Sequence, residues 1–257
     1  MTAPVLLVDR VDGVATLTLN RPDQMNALSL ELRQALHKEL DDIRRDKSIY
    51  VVILTGAGRG FCAGLDLKEM GGEKPTASGP LPPDPASLLR ALPQPVIGAI
   101  NGVAVTGGLE ISLSCDLLIG TPATRFADTH ARVGLIAGWG LGARLSHVIG
   151  PLRAKEMSLT GNFLNAEKAY DWGLLNRIVS HEELIPTCQA LARDMLSTVP
   201  DVMLEYYRQI DRAFDLSLGD AMRYEADFSS KHGSPTPETV AERRRGVQSR
   251  GRDQQKP

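Results

Sequence analysis

Apolar and polar positions alternate over Val14-Ala15-Thr16-Leu17-Thr18-Leu19, the period of a strand with one buried face. Val5–Val8 is a second short β run, and Asp12-Gly13 between them is a turn signal, so the chain opens with a predicted hairpin. Asn20-Arg21-Pro22-Asp23 ends it. The period then changes. Leu32, Leu36, Leu40 and Ile43 recur at helical spacing behind Ser29, a suitable N-cap, which predicts a helix near Leu30–Arg45. Tyr50-Val51-Val52-Ile53-Leu54-Thr55 is continuously apolar, as in a strand buried on both faces.

A glycine-rich turn (Gly56–Gly64) and a predicted short helix (Leu65–Met70) follow. Gly71–Ser87 holds five prolines and three glycines in seventeen residues, which predicts a mobile loop. Next come a helical patch (Ala86–Ala91), a second buried strand (Pro95–Ile100) and another glycine-bearing turn (Asn101–Gly108). A helix (Leu109–Ser114) and a third short strand (Asp116–Ile119) complete the series. This repetition of strand, turn and helix is that of an α/β fold with a parallel sheet.

The second half reads as helices over Leu141–Ile149, Ala154–Leu159, Ala166–Trp172, Glu182–Ser197, Asp201–Phe214 and Leu218–Lys231, with one short strand at Asn176–Val179. The expected organisation is a core over residues 1–195, a helical region over 196–246, and a polar, disordered tail over 247–257.

Composition narrows the class of protein. The chain has 257 residues, a formal net charge of -2, 42% hydrophobic and 23% charged residues. These values are near globular averages and exclude wholesale disorder. The near-neutral charge argues against a protein built to hold nucleic acid, and Arg243-Arg244-Arg245 reads as a solvated helix face. No apolar run reaches the roughly 18 residues of a membrane helix, and Met1–Arg10 lacks the features of a signal peptide. Cys62, Cys115 and Cys188 are scattered without C-x-x-C spacing, so no disulfide framework or metal site is expected and a cytoplasmic location fits.

Common catalytic motifs are missing. The sequence contains no P-loop, no G-x-S-x-G and no H-E-x-x-H. Gly58-x-Gly60-x-x-Ala63 is a loose dinucleotide fingerprint, but it runs into the Pro/Gly loop instead of a helix and an acidic strand end. What remains is a pair of glycine turns, each after a buried strand: Gly60–Leu67 and Asn101–Glu110. Either they are ordinary βα loops, or they aim two backbone N–H groups at one oxygen, an oxyanion hole made without side chains.

Phe61-Cys62-Ala63-Gly64-Leu65-Asp66-Leu67 resembles the first signature of the enoyl-CoA hydratase/isomerase (crotonase) superfamily. Pro95–Gly102 through Gly107-Gly108-Leu109-Glu110 and Cys115-Asp116 resembles the second. Asn20-Arg21-Pro22, Asn26-Ala27-Leu28, Phe126, Gly134-Leu135 and Gly138 match in the expected order, over about residues 5–235. The resemblance implies an α/β, crotonase-like ββα spiral core with a C-terminal helical trimerisation region, as a homotrimer or a dimer of trimers. It implies an acyl-CoA thioester substrate and no cofactor beyond the coenzyme A of that substrate, with neither nucleic acid nor membrane as a partner.

The same resemblance assigns roles to residues. The backbone N–H groups of Leu65 and Gly107 would form the oxyanion hole, and Glu110 would be the acid/base. His130 stands where hydratases of the family carry a second glutamate; it either transfers protons or lines the pocket. Asp128, two residues away, could orient it, although i, i+2 neighbours do not face each other on a helix. Met25, Ala27 and Leu28 would line the nucleotide and pantetheine groove, with Ala63 and Asp66 near the adenine. Leu65, Asp66, Leu67 and Lys68 would grip the thioester and pantetheine, Lys68 would meet a phosphate, and Trp139 would wall the acyl pocket. The implied reaction is hydration of an enoyl-CoA in fatty acid metabolism. The alternatives are Δ3-Δ2-enoyl-CoA isomerisation and a non-catalytic acyl-CoA-binding protein.

Overall fold

Asp12 and Gly13 close the predicted hairpin in the computed structural model, which describes residues 3–73 and 78–255. Strand β1 (Leu6–Val11) pairs antiparallel with β2 (Val14–Leu19), from Leu6↔Leu19 to Val11↔Val14. Both turn residues have positive φ (48° and 82°), the twist a two-residue hairpin loop requires. Helix α1 (Leu30–Arg45) starts on Ser29, whose Oγ accepts the Leu32 N–H at 3.2 Å. Its predicted stripe of Leu32, Leu36, Leu40 and Ile43 is buried in one cluster with Leu17, Leu19 and Leu54.

Three ββα units follow. The first is β3 (Val51–Gly56), β4 (Gly60–Cys62) and α2 (Leu67–Met70), followed by α3 (Pro85–Arg90). The second is β5 (Val96–Ile100), β6 (Val103–Val105) and α4 (Gly107–Ser112). The third is β7 (Leu117–Gly120), β8 (Arg125–Ala127) and α5 (His130–Val133). The chain continues through α6 (Leu141–Ile149), α7 (Pro151–Thr160), β9 (Leu164–Asn165), α8 (Ala166–Asp171), β10 (Arg177–Ile178) and α9 (Leu184–Leu196). It ends with α10 (Pro200–Phe214), α11 (Leu218–His232) and α12 (Pro237–Gln254).

The first strand of each unit enters a six-stranded sheet of order β1-β2-β3-β5-β7-β10, parallel from β2 onward. The second strand enters a four-stranded sheet of order β4-β6-β8-β9, in which β4, β6 and β8 are parallel. The sequence pattern predicts plain turns at Gly56–Gly64 and Asn101–Gly108 and no strand over 125–127. Three residues are too few to display a period of two, so β4, β6 and β8 carry no pattern signal.

Of the predicted loop Gly71–Ser87, residues 74–77 lie outside the described residues. The loop ends in α3, where the Asp84 carboxylate accepts the Ser87 N–H at 2.7 Å and Pro85 takes the first helical position. Two compact units are present, residues up to Leu204 and residues from Glu205 on, so the division falls inside α10 and not at 195/196. In the second unit, the tail from residue 247 is helical to Gln254 and not disordered. Its Glu, Arg and Gln residues lack an apolar face but are good helix formers, and Thr236 Oγ1 caps the helix by accepting the Thr239 N–H. No helix among the described residues is long and apolar enough to cross a membrane.

Candidate active site

Parallel pairing of β4, β6 and β8 sets three strand ends side by side. Beyond each carboxyl end the chain turns into the helix of its unit, and all three junctions line one cavity of about 70 Å³. Ala63, Leu65 and Leu67 come from the first junction, Thr106, Gly107 and Glu110 from the second, and Thr129, His130 and Val133 from the third. Leu135 and Trp139 complete the wall. Carboxyl ends of parallel strands are where α/β sheets bind ligands.

The first wall is held from behind by residues 25–28. Met25 O accepts the Ala63 N–H at 2.9 Å, Gly64 O accepts the Leu28 N–H at 2.7 Å, and Leu28 O accepts the Asp66 N–H at 3.4 Å. This parallel bridge of Leu28 with Leu65 uses the groups flanking Leu65, so the Leu65 N–H points away from Leu28. Met25, Ala27, Leu28, Asp66 and Lys68, assigned to ligand binding from sequence, are not among the cavity-lining residues. Met25 and Leu28 support this wall through their backbone hydrogen bonds, from a turn that ends in the single bridge at Leu28.

Asp66 is 5% exposed. Its Oδ2 pairs with Arg21 Nη2 at 2.8 Å, while Arg21 Nη1 donates to Ala27 O, and Asp66 Oδ1 caps α2. Burial pushes this carboxyl up, but the Arg21 hydrogen bond and charge, with backbone N–H donors at 68 and 69, hold it below the usual range. The pair therefore contributes stability above the ordinary carboxylate range, and that stability is lost as pH falls through the lowered value. Arg21→Ala leaves a buried carboxylate without its partner. A loss of about 3–5 kcal/mol in urea unfolding at neutral pH is expected, shrinking in acid.

At the second wall, Thr106 has φ 48° and ψ -116°, a conformation rare for a β-branched residue. Its N–H donates to Ala127 O at 3.0 Å and its own carbonyl accepts the Glu110 N–H at 3.0 Å, which fixes the strained peptide on both sides. Gly107 is the first residue of α4, so its N–H has no acceptor within the helix. Gly64 faces this turn from the first junction with φ 84°; a Cβ there would lie 2.1 Å from Thr106 Oγ1.

Glu110 is 2% exposed. Its Oε1 accepts the Trp139 N–H at 2.8 Å and its Oε2 lies 3.7 Å from His130 Nε2. Burial raises the Glu110 carboxyl above the usual range, opposed by the Trp139 N–H and the His130 charge. His130 Nδ1 is 2.7 Å from Asp128 Oδ1, and that hydrogen bond raises the imidazole above its ordinary value against the effect of burial. Asp128 reaches His130 despite the i, i+2 spacing because it precedes the helix: Thr129 is the N-cap of α5 and His130 its first residue. Arg90 of α3 secures the opposite side, its Nη1 donating to Trp139 O (3.1 Å) and Ser114 Oγ (3.0 Å).

Sequence reasoning placed Ala63, Leu65, Leu67, Gly107, Glu110, His130 and Trp139, and the fold brings all seven to the cavity. It missed Thr106, Thr129, Val133 and Leu135, and the supporting Arg21 and Arg90. Thr106 had a local signal in its place directly before the two glycines that open α4, and Arg21 and Leu135 lie in stretches that match the family; Thr129, Val133 and Arg90 had none.

Residues 9–249 match the family model described as enoyl-CoA hydratase/isomerase. The chain is 37% identical over 216 residues to the probable enoyl-CoA hydratase 1, peroxisomal, of Arabidopsis thaliana, covering 84% of this chain and 81% of that protein. It is 38% identical over 232 residues to the 1,2-epoxyphenylacetyl-CoA isomerase of Escherichia coli K12, with 86% and 87% covered. The crystal structure of an enoyl-CoA hydratase from Mycobacterium tuberculosis H37Rv superposes with a TM-score of 0.73 at 42% identity, covering 90% of this chain and all of that one. Paired glycine turns, the ββα units that join them and similarity along nearly the whole length agree: the chain belongs to the enoyl-CoA hydratase/isomerase, or crotonase, family.

Proposed function

We propose that the protein is an enoyl-CoA hydratase, adding water across the conjugated double bond of a trans-2-enoyl-CoA. The observation that carries this reading is the Glu110–His130 pair, two proton-transfer groups 3.7 Å apart in a cavity that Leu65 and Gly107 also line. The thioester oxygen accepts from the Leu65 and Gly107 N–H groups, which stabilise the enolate. Loss of one such donor typically costs about 10²–10³ in rate. Glu110 as carboxylate takes a proton from water while the water oxygen bonds to the β-carbon. His130 as imidazolium gives a proton to the α-carbon. Transfer of the proton from Glu110 to His130 then resets the pair, so each turnover adds the elements of one water: the hydroxyl comes from that water, the α-hydrogen comes from His130, and the water's other proton recharges His130. Trp139, Leu67 and Leu135 offer apolar surface to the acyl chain.

In this reading the CoA moiety is part of the substrate, and no separate cofactor takes part. The three free, buried cysteines suit a reducing, cytoplasmic setting. Exposed apolar residues in both units, such as Leu152 and Leu159 on α7 and Leu218 and Met222 on α11, suit self-association into trimers or pairs of trimers.

The purified protein should remove the conjugated thioester absorbance of crotonyl-CoA. Its kcat/KM should follow a bell in pH. The acid limb lies above the usual carboxylate range, because Glu110 must ionise from a raised value. The alkaline limb lies above the ordinary histidine range, because His130 must keep its proton. A gain of conjugation from a 3-enoyl-CoA, with crotonyl-CoA untouched, would instead establish the isomerase alternative, for which a single base suffices. Tight binding of both without turnover would leave an acyl-CoA-binding protein.

A further inference from the structure

We propose that Asp128 is a positioning residue for the Glu110–His130 pair: its carboxylate holds His130 with the proton on Nδ1, so that Nε2 is the nitrogen that exchanges protons in the cavity. The proposal rests on the hydratase reading for its kinetic consequences, but its geometry stands apart from any substrate.

Asp128 is 4% exposed at the end of β8, in the segment that leads into α5. One oxygen, Oδ1, accepts twice from the same residue, from the His130 backbone N–H at 3.2 Å and from Nδ1 at 2.7 Å. The backbone bond sets where the ring starts and the side-chain bond sets how it is turned. The Ser158 hydroxyl of α7 also favours the charged form of this carboxylate. Burial alone would push Asp128 up, yet His130 and Ser158 keep it below the usual carboxylate range, so it is an anion at neutral pH.

An anionic oxygen 2.7 Å from a ring nitrogen demands a hydrogen between them. Nδ1 must therefore be the protonated nitrogen of the neutral ring. Nε2 then carries a lone pair and faces Glu110 Oε2 at 3.7 Å. A lone pair facing a carboxylate in a buried site is unfavourable, and the conflict is removed when one proton resides on either partner. The titratable groups facing the ring are Asp128 from its own segment and Glu110 from α4; α7 contributes the uncharged Ser158. Asp128 thus supplies the negative charge that keeps the imidazolium available as the acid, while Glu110 is left free to act as the base.

Asp128→Asn keeps the shape and removes the charge. Its kcat for crotonyl-CoA should fall by about 10²-fold or more, within the range a general acid contributes, with KM changed far less. The alkaline limb of kcat/KM should move to lower pH, because the imidazolium loses its counter-charge. A packing role alone would lower activity at all pH values and leave the limb in place. Nitrogen-15 NMR of the histidine rings gives a readout that needs no turnover. In the unmodified protein, His130 should be protonated at Nδ1 when neutral and should titrate above the ordinary histidine value. In Asp128→Asn that titration should shift down. A neutral ring protonated at Nε2 in the unmodified protein, or a His130 titration unmoved by the substitution, overturns the proposal. Inactivity of the unmodified protein toward crotonyl-CoA would sink the hydratase reading instead, and the NMR result would still decide the tautomer.

Discussion

Glu110→Gln lowers kcat for crotonyl-CoA hydration by about 10²–10⁴-fold, the contribution expected of a general base, and makes the folded protein more stable at neutral pH. Both effects come from the same burial. The carboxyl is 2% exposed and raised above the usual range. A raised acid favours folding in its protonated form. The cost of its ionisation is therefore absent below the ordinary carboxylate range and present in full once pH exceeds the raised folded value. Glutamine never pays it. Its side-chain oxygen can still accept the Trp139 N–H that now meets Oε1 at 2.8 Å, so the loop keeps its anchor. Urea midpoints for the two proteins should converge as pH falls and separate toward neutrality, the variant being the more stable. A glutamine variant of full activity would remove Glu110 from the mechanism. A less stable one would show that the residue holds the site together rather than working in it.

Gly64→Ala should be nearly as damaging without touching any proton-transfer group. The added Cβ would stand 2.1 Å from Thr106 Oγ1 and 3.1 Å from Gly107 N, and alanine at φ 84° is itself strained. Since Thr106 is bonded on both sides, to Ala127 O and to the Glu110 N–H, the turn cannot rotate away freely. The two junctions must separate, and with them the Leu65 and Gly107 N–H groups. Displacement of about 1 Å in a catalytic array costs on the order of 10²-fold in rate. A loss of about 1–3 kcal/mol in stability should accompany it, the usual cost of a non-glycine residue in that conformation. Thr106→Gly in the Gly64→Ala background removes the obstructing Oγ1, and glycine tolerates φ 48°. Partial return of kcat in that double variant would separate the collision from the strain at residue 64. Unchanged kcat in Gly64→Ala would mean that the two N–H groups do not act on one oxygen.

Much of this could be read along the chain. The hairpin, α1, β3 and β5 follow from periods of two and 3.6 and from unbroken apolar runs. Gly64, Gly107 and Glu110 stand out because they sit in two motifs of the family, and His130 because it departs from a third. Other features had no signal. Arg21 and Asp66 are 45 residues apart and Arg90 and Trp139 are 49 apart, and nothing local in either sequence segment names the partner. Asp128 and His130 are close in sequence, but their contact depends on where α5 begins, and helix starts are the least legible feature of a short helix.

The sequence by itself determined the strand-and-helix alternation, the two glycine turns and the residue types available for proton transfer. Only the tertiary structure decided that these meet. The deciding elements are β4, β6 and β8, each three residues long and without a periodic pattern. Their parallel pairing is fixed by backbone hydrogen bonds between segments distant in the chain, and backbone groups carry no side-chain signature. That pairing aligns three carboxyl ends, and so places Glu110 and His130 within 3.7 Å of each other across one cavity.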